Sequence, residues 1–437
     1  MIYFIKKLFI LIITASLISN SHAENILYES DTAYLSTSLT LQSAFFTQSN
    51  SWFGNAQNNI GHNDSSWWEA WIEPGLKGHV NLKSDSQLYS ELSYIYAKTF
   101  GDDASGLTLG LDNPGKGKLE QAYIGWRSGQ TFALANNLLD ISLGQQDYKL
   151  GHGFLLWGSG SSGFKNGAWW LGGRHAFADS GVIKINTGSI KADTFRLKTR
   201  PQTGNAKDMR GVNFEYLPNK DYTLGFSYIK VKQEDKLSID GADIFDFRLD
   251  INKLSILPGF SFLGEYVKED NGIALDSQGW YTDFTYKFKQ LNWQPQLSYR
   301  YASFEGDDPD TLKNEAFDPL RYGFPDWGAW YQGEIIGEYV LGNSNLNSHL
   351  LRIKTKPHTD LTLNLLYFQF FSDQPQSRGI NSKHFADEIN LISDWSITKS
   401  FSISGVLAIA MPGEGAKEMT SGNENWVLAM LYAYYKF

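Results

Sequence analysis

From Leu35 to Phe437 the chain alternates apolar and polar residues with a period of two, in segments broken by turns rich in Gly, Asp and Asn. Period two marks half-buried strands, because successive side chains point to opposite faces. The alternation is cleanest at 245–252, where Phe245, Phe247, Leu249 and Ile251 stand against Asp246, Arg248, Asp250 and Asn252. Reading forward, it predicts strands at 35–45, 67–82, 87–100, 118–127, 139–148, 174–186, 189–200, 209–217, 221–232, 245–252, 259–269, 279–289 and 293–304. Reading back from the end gives 425–437, 400–411, 385–398, 361–371 and 347–357.

The last segment sets the architecture. In Trp426 to Phe437, Val427, Ala429, Leu431, Ala433, Tyr435 and Phe437 share one face, and the other face ends in Lys436. An apolar strand left as an open edge invites aggregation. A strand that closes a barrel by pairing with the first one does not. A single-chain bacterial barrel has an even strand number, so 305–346 is assigned as one long outer loop with a short helix at 329–340. The fold class expected is all-β: a transmembrane antiparallel β-barrel of about 18 strands, with short periplasmic turns and long extracellular loops. A barrel of that size suits a water-filled channel. The stretch 149–173 is too Gly-dense for a strand. It is a second long outer loop, lying either inside the barrel mouth as a constriction or on the rim as a flap.

The first residues belong to another pattern. Lys6 and Lys7 precede an apolar run from Leu8 to Ile18, and Ser21 and Ala23 are small residues at the positions a signal peptidase reads. This predicts a signal peptide over 1–23 and one outer-membrane barrel over 24–437 in a Gram-negative cell. No other stretch is apolar for ~20 residues, so no helical span is expected.

Composition adds three points. Aromatics make up 15% of the chain, as the interfacial girdles of a barrel require. There is no Cys, which excludes disulfides, thiolate metal sites and a lipid anchor at the cleavage point. No cofactor or metal is expected. The net charge is −9, or −11 once Lys6 and Lys7 leave, which argues against nucleic acid as a partner.

Face assignment puts both signs of charge inside. The inward cations are Lys77, Arg127, Arg196, Lys198, Arg248, Lys287, Arg300, Arg352 and Lys354, against Glu69, Glu73, Glu91, Glu215, Asp246, Asp250, Asp283 and Glu388. Such charges either brace the wall as ion pairs or, where loops narrow the pore, select anions: Arg presents a rigid fork to carboxylates, and rings of Arg and Lys favour anions. The candidate pore-lining, anion-selecting residues are Arg127, Arg196, Arg248, Arg300, Arg352 and Lys354. A one-residue slip of register would turn a whole strand inside out. An enzyme reading rests only on His152 near Ser159 to Ser162, in a Gly-rich loop without a recognisable motif; the chain is not expected to be an enzyme. An adhesin is a further reading, served by the 305–346 loop.

The block 315–347 is more specific. It carries Phe-Asp-Pro-Leu-x-Tyr-Gly at 317–323, Asp-Trp-Gly-x-Trp-Tyr-Gln-Gly-Glu-Ile at 326–335 and Asn-Ser-Asn-Leu at 343–346. With Trp-Trp-Glu-Ala-Trp-Ile-Glu-Pro-Gly-Leu at 67–76, Leu-Gly-Gln-Gln-Asp at 143–147, Asp-Trp-Ser-Ile-Thr at 394–398 and Ala-Met-Pro-Gly-Glu-Gly-Ala at 410–416, it resembles the alginate-export family of outer-membrane porins. That resemblance implies a monomeric 18-stranded barrel in outer-membrane lipid, passing an anionic polysaccharide through an arginine-rich constriction. It also implies periplasmic export proteins that hand over polymer. The mixed inward charge departs from a strongly electropositive pore. The functional expectation is a channel for an anionic saccharide or polysaccharide; the alternative is a general porin or one for uptake of small carboxylated solutes.

Overall fold

The structure is a computed structural model that describes residues 25–104, 106, 110–201 and 204–437. The predicted signal peptide lies outside the described residues. Among these, the chain forms one antiparallel sheet of 19 strands. Strand β1 (Asn25–Glu29) is a short lead-in to β2 (Ala33–Ser49). The wall continues through β3 (Ser65–Asn81), β4 (Gln87–Phe100), β5 (Gly115–Arg127), β6 (Leu139–Gln146), β7 (Phe177–Asn186), β8 (Ile190–Lys198), β9 (Asp208–Asn219) and β10 (Tyr222–Lys232). The second half is β11 (Asp243–Ile251), β12 (Phe260–Asp270), β13 (Asp276–Lys287), β14 (Gln296–Phe304), β15 (Leu346–His358), β16 (Leu361–Phe371), β17 (His384–Ser396), β18 (Phe401–Pro412) and β19 (Trp426–Lys436).

Each strand pairs with its neighbour in sequence, and β19 returns to β2 with Val427 opposite Ser49 and Lys436 opposite Thr40. The barrel is therefore the 18 strands β2 to β19. Closure leaves no unpaired backbone edge in lipid, the condition a membrane imposes on any spanning sheet. The seam finishes with Leu39 N to Phe437 O at 3.0 Å and Phe437 N to Leu39 O at 3.1 Å. Where β19 stops, β1 takes over the edge of β2, with Asn25 opposite Thr37 and Glu29 opposite Tyr34. The sequence reading missed β1, which is too short to show a period.

The outer face is an apolar belt. Ile72, Leu92, Ile124, Leu143, Val212, Phe247, Leu351, Leu391 and Leu431 are all exposed. In water such a surface would aggregate; here it is the lipid-facing side. The inner face carries buried charge instead: Glu69, Asp246, Glu269 and Glu388 are fully buried, and Arg248 and Arg300 nearly so.

Three expectations change. The lumen is not simply water-filled, because the loops 147–176 and 305–345 fold into it and bury Leu155, Leu156, Ile335 and Ile336. This settles the choice for 149–173 in favour of the barrel mouth. The helix expected at 329–340 is only a π-helical turn, Ile336–Val340. Finally, Arg196 and Lys198 face outward. Phe195 and Leu197 are the buried, inward pair on β8, and Tyr148 packs on Phe195 with ring centroids 4.8 Å apart. Near the mouth the lumen is filled by apolar loop, so the inward residues are apolar too and the usual polarity rule inverts.

Deleting Tyr435 to Phe437 removes the pairs of Tyr435 and Lys436 with Leu41 and Thr40 and opens the seam at its periplasmic end. Assembly in the outer membrane should drop sharply, read as loss of the heat-modifiable folded band on a gel. Wild-type levels of that band in the truncated protein would count against this seam.

Candidate functional site: a loop-lined passage in the barrel lumen

The two inward loops are built on each other before they touch the wall. Trp157 N donates to Arg321 O at 2.8 Å and Arg321 N to Leu155 O at 2.8 Å, a short parallel bridge. Gly323 N donates to Gly153 O at 3.0 Å. Phe154 anchors this pair: its ring lies 4.9 Å from Trp330, 5.2 Å from Tyr281 and 5.5 Å from Phe304, centroid to centroid.

Buried glutamates of the wall then hold the loops by their backbone. Glu388 on β17 accepts from Ile335 N at 3.1 Å and Ile336 N at 2.8 Å. Glu69 on β3 accepts from Leu171 N at 2.9 Å and Trp170 N at 3.4 Å. Glu120 on β5 accepts from His175 N and Ala176 N, each at 2.7 Å. Glu269 on β12 accepts from Asp318 N at 2.8 Å. Buried loop amides must find acceptors, and a carboxylate that takes two of them relieves both sides at once; each such bond is worth about 1.5–3 kcal/mol. Gly333 is required beside Glu388: its φ is +88°, and a Cβ there would sit 2.7 Å from the carboxylate.

A second clamp lies above these. Asp318 is buried between Lys207 at 2.5 Å and Lys236 at 2.6 Å, which ties three outer loops together. Burial alone would raise its pKa, but the two ammonium groups pull it down to about 2.

Between the loops lies a cavity of about 570 Å³, walled by Trp157, Trp169, Trp170, Tyr322, Trp327 and Tyr331, with Glu334, Glu338, Arg174 and Arg321 among them. Below it, toward the periplasm, is a second cavity of about 350 Å³ lined by Glu73, Lys77, Glu91, Glu120, Asp147 and Lys436. His175 lines both, so the two meet at that residue.

The six candidate residues are placed as follows. Arg352 and Lys354 on β15 reach the loop residue Asp326, at 3.4 and 3.1 Å. Arg300 on β14 donates to Gly328 O at 2.5 Å and lies over the Trp330 ring, 4.9 Å from its centroid. These three are brought together, but by the loop they hold. Arg248 is paired within the wall with Asp246 and contacts Asn213. Arg127 pairs with Asp140 at 3.1 Å and covers the Tyr89 ring. Arg196, on the outside, pairs with Asp208 at 2.7 Å. None of the six lines either cavity. His152, the basis of the enzyme reading, is bonded to Asp250 at 2.9 Å.

The residues that do line the upper cavity sit largely in the block 315–347 that stood out in the sequence. That reading marked the block but placed the chemistry on wall arginines. Arg321 was missed because it lies in an irregular loop where alternation assigns no face; Arg174 was read as the start of the strand 174–186, but that strand begins only at Phe177.

A closed 18-stranded antiparallel barrel with loops folded into its lumen is the architecture of outer-membrane porins. Comparison with solved structures agrees. The chain is similar to OccK11 (OpdR) of Pseudomonas aeruginosa, with 13% identity over 92% of this chain and 96% of that one and a TM-score of 0.56. It is similar to OccAB4 of Acinetobacter baumannii, with 13% identity over 94% and 98% and a TM-score of 0.58. A third likeness is OccAB2 of the same organism, with 11% identity over 92% and 98% and a TM-score of 0.59. No protein-family model and no curated protein matches the sequence. The structural likeness is thus to porins of the Occ/OprD type and not to the alginate-export family that the sequence motifs suggested.

If the wall carboxylates hold the loops, the E69Q/E388Q double variant should still assemble. It should open locally more easily by about 1–3 kcal/mol per tether, read as faster hydrogen exchange at 168–172 and 333–338. Unchanged protection there would remove the tether from the account.

Acidity gives a separate test. Burial, reinforced by the Glu388 charge, raises Glu334 to about 8; burial and Glu334 raise Glu338 well above the carboxylate range. The groups facing them are Glu388, Asp394 and Glu69 on the wall, Asp103, and the indoles of Trp169 and Trp170. A carboxyl whose folded pKa is raised binds its proton more tightly when folded. Its stabilising contribution is full below about 4.5 and is lost as pH rises through about 8. Protection of the 333–340 segment should therefore fall between pH 5 and pH 8.5, and E334Q should flatten that slope. A rise with pH would contradict the assignment.

Proposed function

We propose that this chain is an outer-membrane porin that admits small solutes, including carboxylated ones, to the periplasm. The observation that carries this reading is the lumen: inward loops leave two cavities of about 570 and 350 Å³ that meet at His175. Spaces of that scale suit small molecules. A polysaccharide in transit needs a continuous bore for an extended chain, and loops held by at least four wall glutamates do not favour one. The likeness to Occ porins supports the same choice. Alginate export, with its periplasmic partners, then rests on the sequence motifs alone.

The wall cations enter as a field. Arg300 and Arg352 each keep a buried Nε–H without a hydrogen-bond partner, so their charge is not fully spent on the loop. Low-dielectric walls focus such charge onto the passage.

Two measurements test the proposal. Proteoliposomes should swell in arabinose at a rate that scales with the protein content; absence of swelling would end the porin reading. In planar bilayers, R300A/R352A should shift ion preference toward cations, and the shift should shrink at high salt as charges are screened. A double variant that keeps the wild-type preference at low salt would confine these arginines to bracing the loop.

A further inference from the structure

We infer that the upper cavity is a site for a compact zwitterion, a small carboxylate that also carries an ammonium group, quaternary ammonium included. This deepens the porin reading and rests on it for transport, though not for binding.

The walls argue for the cationic end. Ring faces carry negative quadrupole charge, and several rings around one space attract a poorly hydrated cation. Tyr322 and Tyr331 stand 5.0 Å apart, and Trp170 lies 6.1 Å from Trp327 and 5.8 Å from Tyr432, all lining the same space. Trp157 already receives one cation: Lys149 Nζ sits 4.5 Å from its ring centroid.

Two carboxylates in this wall lack a counter-ion. The groups acting on Glu334 are Glu388, Trp170 and Asp394, and those on Glu338 are Glu334, Glu69, Asp103 and Trp169. All of these are acids or indoles. A buried acid without a counter-ion keeps its proton rather than its charge, and a cation in the cavity lets it ionise and pair. Leu171 and Trp170, which bring the rings into place, are fixed by Glu69.

The opposite charge is also present. Arg321 lines the cavity with a buried Nε–H that has no hydrogen-bond partner. Arg174 lines it too, with its own unpartnered buried Nε–H, but its two terminal nitrogens are held by the carbonyls of Asn166 and Lys116. Arg321 is thus the less engaged of the two guanidinium groups that can meet the solute carboxylate, as guanidinium forks do. Downstream, the lower cavity offers Glu73 and Asp147, while its Lys77 is paired with Glu91 at 3.4 Å. Lys436 lines it as well, so an ammonium group leaving the cage meets both signs of charge there.

The test uses two solutes of one shape. Glycine betaine and 3,3-dimethylbutanoate differ in a single atom, nitrogen or carbon, and so in one charge. Wild-type protein in detergent should show saturable tryptophan fluorescence quenching with betaine at an affinity about fivefold or more above that for dimethylbutanoate. In proteoliposomes betaine should enter faster by a similar factor. E334Q/E338Q should bring the two solutes together. Equal binding of the two by wild-type protein, or no binding of either, overturns the zwitterion site. Failure of arabinose to enter, with betaine still bound selectively, overturns the porin reading and leaves the site standing.

Discussion

The lumen of this barrel depends on one interaction: a buried glutamate on the wall accepting the backbone N–H groups of a loop. Loop backbone taken out of water carries donors that no strand satisfies, and inward acids taken out of water carry charge that few cations meet. Each is costly alone. At Glu69, Glu120 and Glu388 the two costs partly offset each other, because one carboxylate takes two consecutive amides, and at Glu120 Arg200 adds an ion pair at 3.0 Å. Consecutive amides point the same way only where the backbone turns tightly, which is why a glycine at φ +88° precedes the Glu388 contact.

The loops give the channel its character, and the wall cations largely serve the loops. Arg300, Arg352 and Lys354 form a patch on two adjacent strands, with Ser298 opposite Arg352 and Gln296 opposite Lys354. Their nearest acceptors, Gly328 O and Asp326, belong to the loop. The upper cavity is therefore walled largely by loop residues: tryptophan and tyrosine rings, Glu334 and Glu338, and two arginines, Arg174 and Arg321, each with an unpartnered Nε–H. A rigid closed sheet outside and a tethered, irregular inner layer divide the work between stability in lipid and selectivity in water.

The alternation rule worked wherever lipid lay on one side and water on the other. It gave the inward placement of Glu69, Glu73, Lys77 and His79 on β3 and the outward set of β19. It failed on β8, where Arg196 and Lys198 were assigned inward. There the inner side is apolar loop and the outer side bears an exposed ion pair, Arg196 with Asp208. Polarity reports the surroundings of a face, not its direction, and near the mouth those surroundings are exchanged.

By itself the sequence determined the wall: the order of the strands and their approximate positions, the even count, the seam at Phe437 and the long loops near 149–173 and 305–346, with strand ends such as those of β2, β7 and β14 shifted by a few residues. These follow from local periodicity and from the requirement that no strand edge be left open in a membrane. Only the tertiary structure decided where the loops go, that Glu388 meets Ile335 and Ile336, and that Arg321 and Glu334 share a cavity. Those pairings join residues distant in the chain and lie in segments without a period. No local rule carries their geometry; it is fixed by the closure of the barrel and by the need of buried amides and buried charges for each other.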